Sequence, residues 1–181
     1  MKRLLLLCFV VIQIQAKAQY ALSYDDLLAF TTEIEFSDSL IFDTETGLSV
    51  PIDSFTIKKW FPQLLSTGTN KFKNKFYYLQ GKITQNEHFD LLMLVEEKKR
   101  NDSTGIKITY LVSARKNGDY IASIKAAVNG TKKKTDYNIS SSLYKGNKIV
   151  QDSRITINAQ FYDDLTHYKI NSGGRFIMYT D

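Results

Sequence analysis

The sequence predicts a mainly β protein: an antiparallel up-and-down meander of about eight strands, curled or barrel-like. Three observations lead there. From Phe76 onward, runs rich in Tyr, Ile, Val, Thr and Phe recur at short intervals. Each run closes on Gly, Asn or Asp, residues whose backbone preferences suit tight turns. The gaps between runs leave no room for a crossover helix, so neighbouring strands must run antiparallel.

The N-terminus reads MKRLLLLCFVVIQIQAKAQY. Lys2 and Arg3 precede an apolar run from Leu4 to Ile14, and Ala16-Lys17-Ala18 supplies a small-residue cleavage site, the pattern of a secretory signal peptide. The run is shorter than the roughly 20 residues of a membrane-spanning helix. Cleavage after Ala18 leaves residues 19–181, read as one globular domain with an N-terminal segment (19–75) and a β-meander (76–181). The expected location is exported: periplasmic, extracellular or at the cell surface. No later stretch is long and apolar enough for a transmembrane helix. The only cysteine is Cys8. The mature chain therefore offers no disulfide, thiolate nucleophile or Cys-ligated zinc. Its length lets it bury enough surface to fold without them.

Within the N-terminal segment, Ser23 caps an expected short helix at about 24–30, with Asp25 and Asp26 in its first turn. The stretch DSFTIKKWF is ambiguous. Phe55 and Ile57 alternate like a strand, yet Asp53 or Ser54 can cap a helix carrying Phe55, Trp60 and Phe61. The helix is the preferred reading. Residues 62–75 form a connector broken by Pro62, Gly68 and Asn70.

The expected strands are 76–84, 88–98, 106–114, 119–128, 135–144, 148–158, 161–170 and 174–180. Asn117-Gly118 and Asn129-Gly130 predict hairpins with type I′ turns. Ile106, Ile108, Tyr110 and Val112 share one strand face, opposite Lys107, Thr109 and Ser113. FDLLMLV (89–95) is apolar on both faces and so requires a covering layer on its second face. The N-terminal segment is the expected cover. Gly118, Gly146 and Gly174 recur at steps of 28 residues. Each step holds two strands and two turns, so this spacing reports uniform strand length rather than a duplicated site. A transmembrane β-barrel fits less well, because Asp152, Arg154, Asp163 and Asp164 fall in mid-strand, where the bilayer penalises charge.

Charge is uneven along the chain. Residues 19–57 hold eight acids and no Lys or Arg, whereas residues from Lys58 onward hold 21 basic against 11 acidic side chains. The simplest reading is an acidic segment packed over a basic remainder. The clusters at Lys98, Lys99, Arg100 and at Lys132, Lys133, Lys134 fall in turns after the second and fourth strands, on one rim of the meander. These six residues are the candidate ligand-binding set, for an anionic glycan, a lipid headgroup or a partner protein. KFKNK (71–75) adds a third basic cluster. The competing reading is lysines that keep edges soluble.

No catalytic constellation is expected. There are two histidines. Asp163 and His167 share a strand face but stand about 13 Å apart along it, too far to bind one metal. ISSSL (139–143) lacks a nucleophile elbow, and no phosphate-loop, zinc-helix or calcium-loop motif occurs. No cofactor or metal is expected. The sequons at Asn101, Asn129 and Asn138 are of a kind that arises readily by chance.

The signal ending AKAQ, with YYLQGKI, TYLVSARKNGDYIAS and THYKINSGGRFI, is similar in style to small uncharacterised secreted proteins of Bacteroidota-type bacteria. The likeness covers about residues 76–180. It implies export and carries no functional residue. The expected function is an exported, non-enzymatic binding or interaction protein whose partner is a small molecule, a glycan or a protein, and not nucleic acid. The alternatives are a hydrolase with a dispersed Asp/Glu/Ser site and an immunity- or inhibitor-like protein docking a partner.

Overall fold

Eleven strands hydrogen-bond into one open sheet in the computed structural model, which describes residues 21–45, 49–65, 74–84, 87–100, 103–132 and 134–180. The signal peptide expected at 1–18 lies outside the described residues. The N-terminal segment supplies helix α1 (Tyr24–Ala29), strands β1 (Glu33–Ile34), β2 (Ser39–Phe42) and β3 (Val50–Ile52), helix α2 (Ser54–Trp60) and a 3₁₀ turn (Pro62–Leu64). The meander follows as β4 (Lys75–Ile83), β5 (Phe89–Arg100), β6 (Ser103–Arg115), β7 (Tyr120–Lys132), β8 (Thr135–Tyr144), β9 (Lys148–Ile157), β10 (Gln160–Ile170) and β11 (Phe176–Tyr179). These eight lie in chain order, each antiparallel to the next.

The expectation of eight strands in all is corrected to eleven, and the sheet is not closed into a barrel. The extra three strands hold two to four residues each. They form because exposed strand edges present unpaired N–H and C=O groups that the chain must satisfy. β1 and β3 both line β4, the first parallel and the second antiparallel.

Both helices begin on capping residues. Ser23 Oγ accepts from Asp26 N (3.1 Å). Asp53 Oδ1 accepts from Phe55 N (2.7 Å) and Thr56 N (2.9 Å), which resolves DSFTIKKWF as a helix. Tyr24, Leu27, Ile57 and Phe61 from this layer pack on Leu79, Leu92, Leu94 and Val112 of the sheet. The opposite side of β5 presents Leu91 and Met93 to a second core with Phe42, Leu111, Leu143 and Ile149. The strand is thus covered on both faces, as its sequence requires.

The second core exists because β7 and β8 part company. They pair only from Val128↔Ile139 to Lys132↔Thr135. Beyond that point β2 lies along residues 141–144 of β8 in place of β7. The later strands then swing beneath the first four, and Leu143 meets Leu91 and Leu111. Backbone carbonyls released by the split are answered by side chains. Ser141 Oγ donates to Ala126 O (2.6 Å), and Gln151 Nε2 donates to Lys125 O (2.7 Å) and to Ser141 Oγ (3.0 Å).

The hairpin expected at Asn117-Gly118 is present between β6 and β7 but with another turn type, and the one expected at Asn129-Gly130 is not. At 115–118 only Gly118 has positive φ (91°), and Gly118 N donates to Arg115 O (2.9 Å). This is a type I-like turn ending in a glycine bulge, not a type I′ turn. A Cβ on Gly118 would stand 2.7 Å from ring atoms of both Tyr24 and Trp60, so the turn is tailored to the helices above it. Asn129-Gly130 is not a turn at all. Both residues pair within the β7–β8 ladder, opposite Asn138 and Tyr137. Gly130 (φ 122°) allows β6 to approach, and a Cβ there would stand 2.3 Å from Gly105 O. Paired positive φ values, as a type I′ turn needs, occur instead at Gly146-Asn147 (80° and 64°) and Asn158-Ala159 (48° and 67°).

Candidate functional site

The helix-covered face continues beyond the helices to the far ends of β4–β8, and there it carries charge. On β5 the alternation that buries Leu92 and Leu94 brings Glu96 and then Lys98 to the same face. Cross-strand partners extend the row, with Tyr77 of β4 opposite Glu96, Ile108 of β6 on its other side, then Val128 of β7 and Ile139 of β8. Lys75 stands opposite Lys98.

These residues enclose a pocket of about 190 Å³. Its apolar lining is Ile106, Ile108, Val128 and Ile139, with Tyr137 beside them. Its cations are Lys75, Lys98, Lys125 and Lys132. A second hollow of about 390 Å³ shares Lys75, Glu96, Ile108, Lys125 and Lys132, and reaches Leu64 and Leu65 beneath the helical layer. The lysines converge from three strands, β4, β5 and β7, because register sets them side by side, and the bulge in β7 at Ala126 turns Lys125 to this face opposite Tyr110.

Glu96 is the one acid lining the pocket, 4% exposed, and it bridges Lys75 Nζ at 2.5 Å. The phenols of Tyr77 and Tyr110 sit in the same buried group. Burial pushes both well above the ordinary tyrosine range, and the Glu96 carboxylate pushes them further. The cluster therefore holds a fixed pattern of one paired anion, two neutral phenols and surplus positive charge.

The predicted basic rim is only partly assembled here. Lys98 and Lys132 line the same pocket. Lys99 points to the opposite face, its ammonium 5.0 Å from the Phe76 ring centroid. Lys134 is exposed in the β7–β8 turn. Lys133 and the side chain of Arg100 lie outside the described residues, as do Lys71 and Lys73. Lys75 belongs to the third basic cluster read in the sequence (71–75), whereas Glu96, Lys125 and Tyr137 were not among the candidate binding residues, although strand phase would have found Glu96, two steps beyond Leu94. His88 is exposed before β5, and His167 packs its ring 5.7 Å from that of Tyr179. Among the described residues, no group of three His, Cys, Asp or Glu side chains is placed to hold a metal.

A second buried carboxylate lies toward the other end of the same face. Asp90, 1% exposed, accepts from Tyr24 OH (3.1 Å) and bridges Lys116 (2.8 Å) and Lys82 (3.4 Å). It ties α1 and the 115–118 turn to the sheet and lines none of the pockets described above. Among the described residues no helix is long and apolar enough to cross a membrane. In comparisons with known proteins, no family model matches the chain, and neither the curated proteins nor the solved structures yield a match.

Proposed function

We propose that this is an exported, non-enzymatic binding protein whose ligand is a small organic anion with a compact apolar or ring-shaped body. The observation that carries this reading is the convergence of Lys75, Lys98, Lys125 and Lys132 around a floor of Ile106, Ile108, Val128 and Ile139. Lysines held together repel one another, and an anion relieves that repulsion. The lone acid is already engaged by Lys75, so three cations remain for a ligand. The isoleucine floor and Tyr137 supply the apolar contact that fixes a ring or short chain. A signal peptide at 1–18 would deliver such a protein to the periplasm or cell surface.

The test uses glucuronate, glucose 6-phosphate and hexanoate as anionic probes and glucose as the uncharged control. At least one anion should shift the methyl resonances of Ile106, Ile108 and Ile139, and should raise the unfolding free energy by about 2.7 kcal/mol at a hundred times its Kd. The effect should fade with added salt and vanish in the Lys98→Gln/Lys125→Gln/Lys132→Gln variant. Methyls unmoved by every anion at millimolar concentration, or binding untouched by the triple substitution, would remove the reading.

A further inference from the structure

β10 leaves part of its edge open. β11 pairs with it only from His167↔Tyr179 to Ile170↔Phe176. Residues 160–166 therefore have β9 on one side and none of the described strands on the other. Two hydrogen bonds orient the ladder. Ile170 N donates to Asn147 O on the β9 side (2.9 Å), and Asn171 N donates to Arg175 O on the β11 side (3.0 Å). Backbone groups alternate sides along a strand, so the N–H and C=O of Phe161, Asp163 and Leu165 face the open edge. The chain closes comparable edges with its own N-terminal strands, β1 and β3 along β4 and β2 along β8.

The side chains on this edge are apolar with two charges at the centre. Phe161 is 81% exposed, Leu165 62% and Tyr162 52%. Phe161 and Leu165 stand on one face and Tyr162 on the other, while Asp163 and Asp164 put one exposed carboxylate on each face. Arg154 lies across the ladder from Asp163 but reaches to Asp152 (3.7 Å). A second copy paired antiparallel with Phe161 against Leu165 would set Asp163 directly against its own equivalent. Like charges so placed oppose pairing. The two acids thus discourage self-association, a recognised use of edge charge, and at the same time select a cationic partner.

We propose that residues 160–166 are a docking edge for an extended segment of a partner protein carrying two consecutive Lys or Arg residues flanked by apolar ones. Such a segment adds a strand through main-chain hydrogen bonds to Phe161, Asp163 and Leu165, and its alternate side chains supply specificity. In antiparallel register, the order apolar, basic, basic, apolar, apolar lies opposite Leu165, Asp164, Asp163, Tyr162 and Phe161. This surface is separate from the lysine pocket and stands whether or not that pocket binds an anion.

The experiment is amide hydrogen exchange on the full chain with the synthetic peptide acetyl-Thr-Val-Lys-Lys-Val-Ile-Thr-amide and its Glu-Glu counterpart. The Lys-Lys peptide should slow exchange at Phe161, Asp163 and Leu165 at least about fivefold and bind about tenfold tighter than the Glu-Glu peptide. The Asp163→Lys/Asp164→Lys variant should reverse that preference. If the variant does not fold, the two peptides against the unaltered chain decide alone. Protection by neither peptide, or equal protection by both, overturns the proposal. So does protection of these amides that grows with protein concentration in the absence of peptide, which would make the occupant a second copy.

Discussion

Asn158 and Ala159 turn β9 into β10 with both residues left-handed (φ 48° and 67°), while Ile157 and Gln160 face each other across the ladder. Asn tolerates that region; a residue with a plain Cβ loses about 1 kcal/mol there. The corresponding turn between β8 and β9 places Gly146 (φ 80°) before Asn147. A Cβ on Gly146 would have nothing within 4 Å, so a substitution there tests backbone strain alone. Gly146→Ala should destabilise by about 1 kcal/mol. Ala159→Gly should stabilise by about 0.5 kcal/mol, the strain relieved less the added freedom of the unfolded chain. Shifts of the urea midpoint at constant slope measure both. Equal and same-signed shifts would mean that strain does not set these turns.

At the level of elements, legibility followed locality. The eight meander strands could be read from the sequence because each is long, β-rich and closed by a turn residue. Helix α2 could be read from its aspartate cap. β1, β2 and β3 could not be, since two to four residues carry no periodicity and their partners lie far along the chain. Asn129-Gly130 misled for a similar reason: the dipeptide has a turn-forming preference, but the tight approach of Gly105 holds it extended. The candidate site was legible only as a shared basic end of alternate hairpins, which brought Lys98 and Lys132 together. Ile106 and Ile108 of the floor follow from the alternation of β6, but Lys125 and Val128 reach the same face only through the β7 bulge, which no local pattern announces. Gln151 gives that bulge a test. It is 9% exposed and its amide answers Lys125 O and Ser141 Oγ. Gln151→Leu keeps the volume roughly and strands both acceptors, so it should cost about 2 kcal/mol. A near-neutral urea midpoint would show that the split between β7 and β8 does not rely on side-chain acceptance.

For the whole molecule, the helix-covered face stakes stability on neutral phenols at both of its ends. Tyr24 stands beside Asp90, and Tyr77 and Tyr110 stand beside Glu96; burial first, and then these carboxylates, raise all three above the ordinary range. In the unfolded chain the same phenols ionise near pH 10. Below that pH they are protonated in both states, and their contribution is fully present. Above it the unfolded chain binds fewer protons than the folded one, so stability falls as pH rises. Each phenol adds a slope of about 1.4 kcal/mol per pH unit and the three together about 4, beginning near pH 10 and continuing toward their folded values. Unfolding should therefore be abrupt in alkali, with a late fraction of tyrosinate absorbance appearing together with loss of the β circular dichroism signal. Tyr77→Phe/Tyr110→Phe should leave only the Tyr24 share of that slope, about a third, because phenylalanine has no proton to lose. The buried phenols would have no part in alkaline stability if all eleven tyrosines ionised before the fold was lost, or if the double variant unfolded as steeply as the parent.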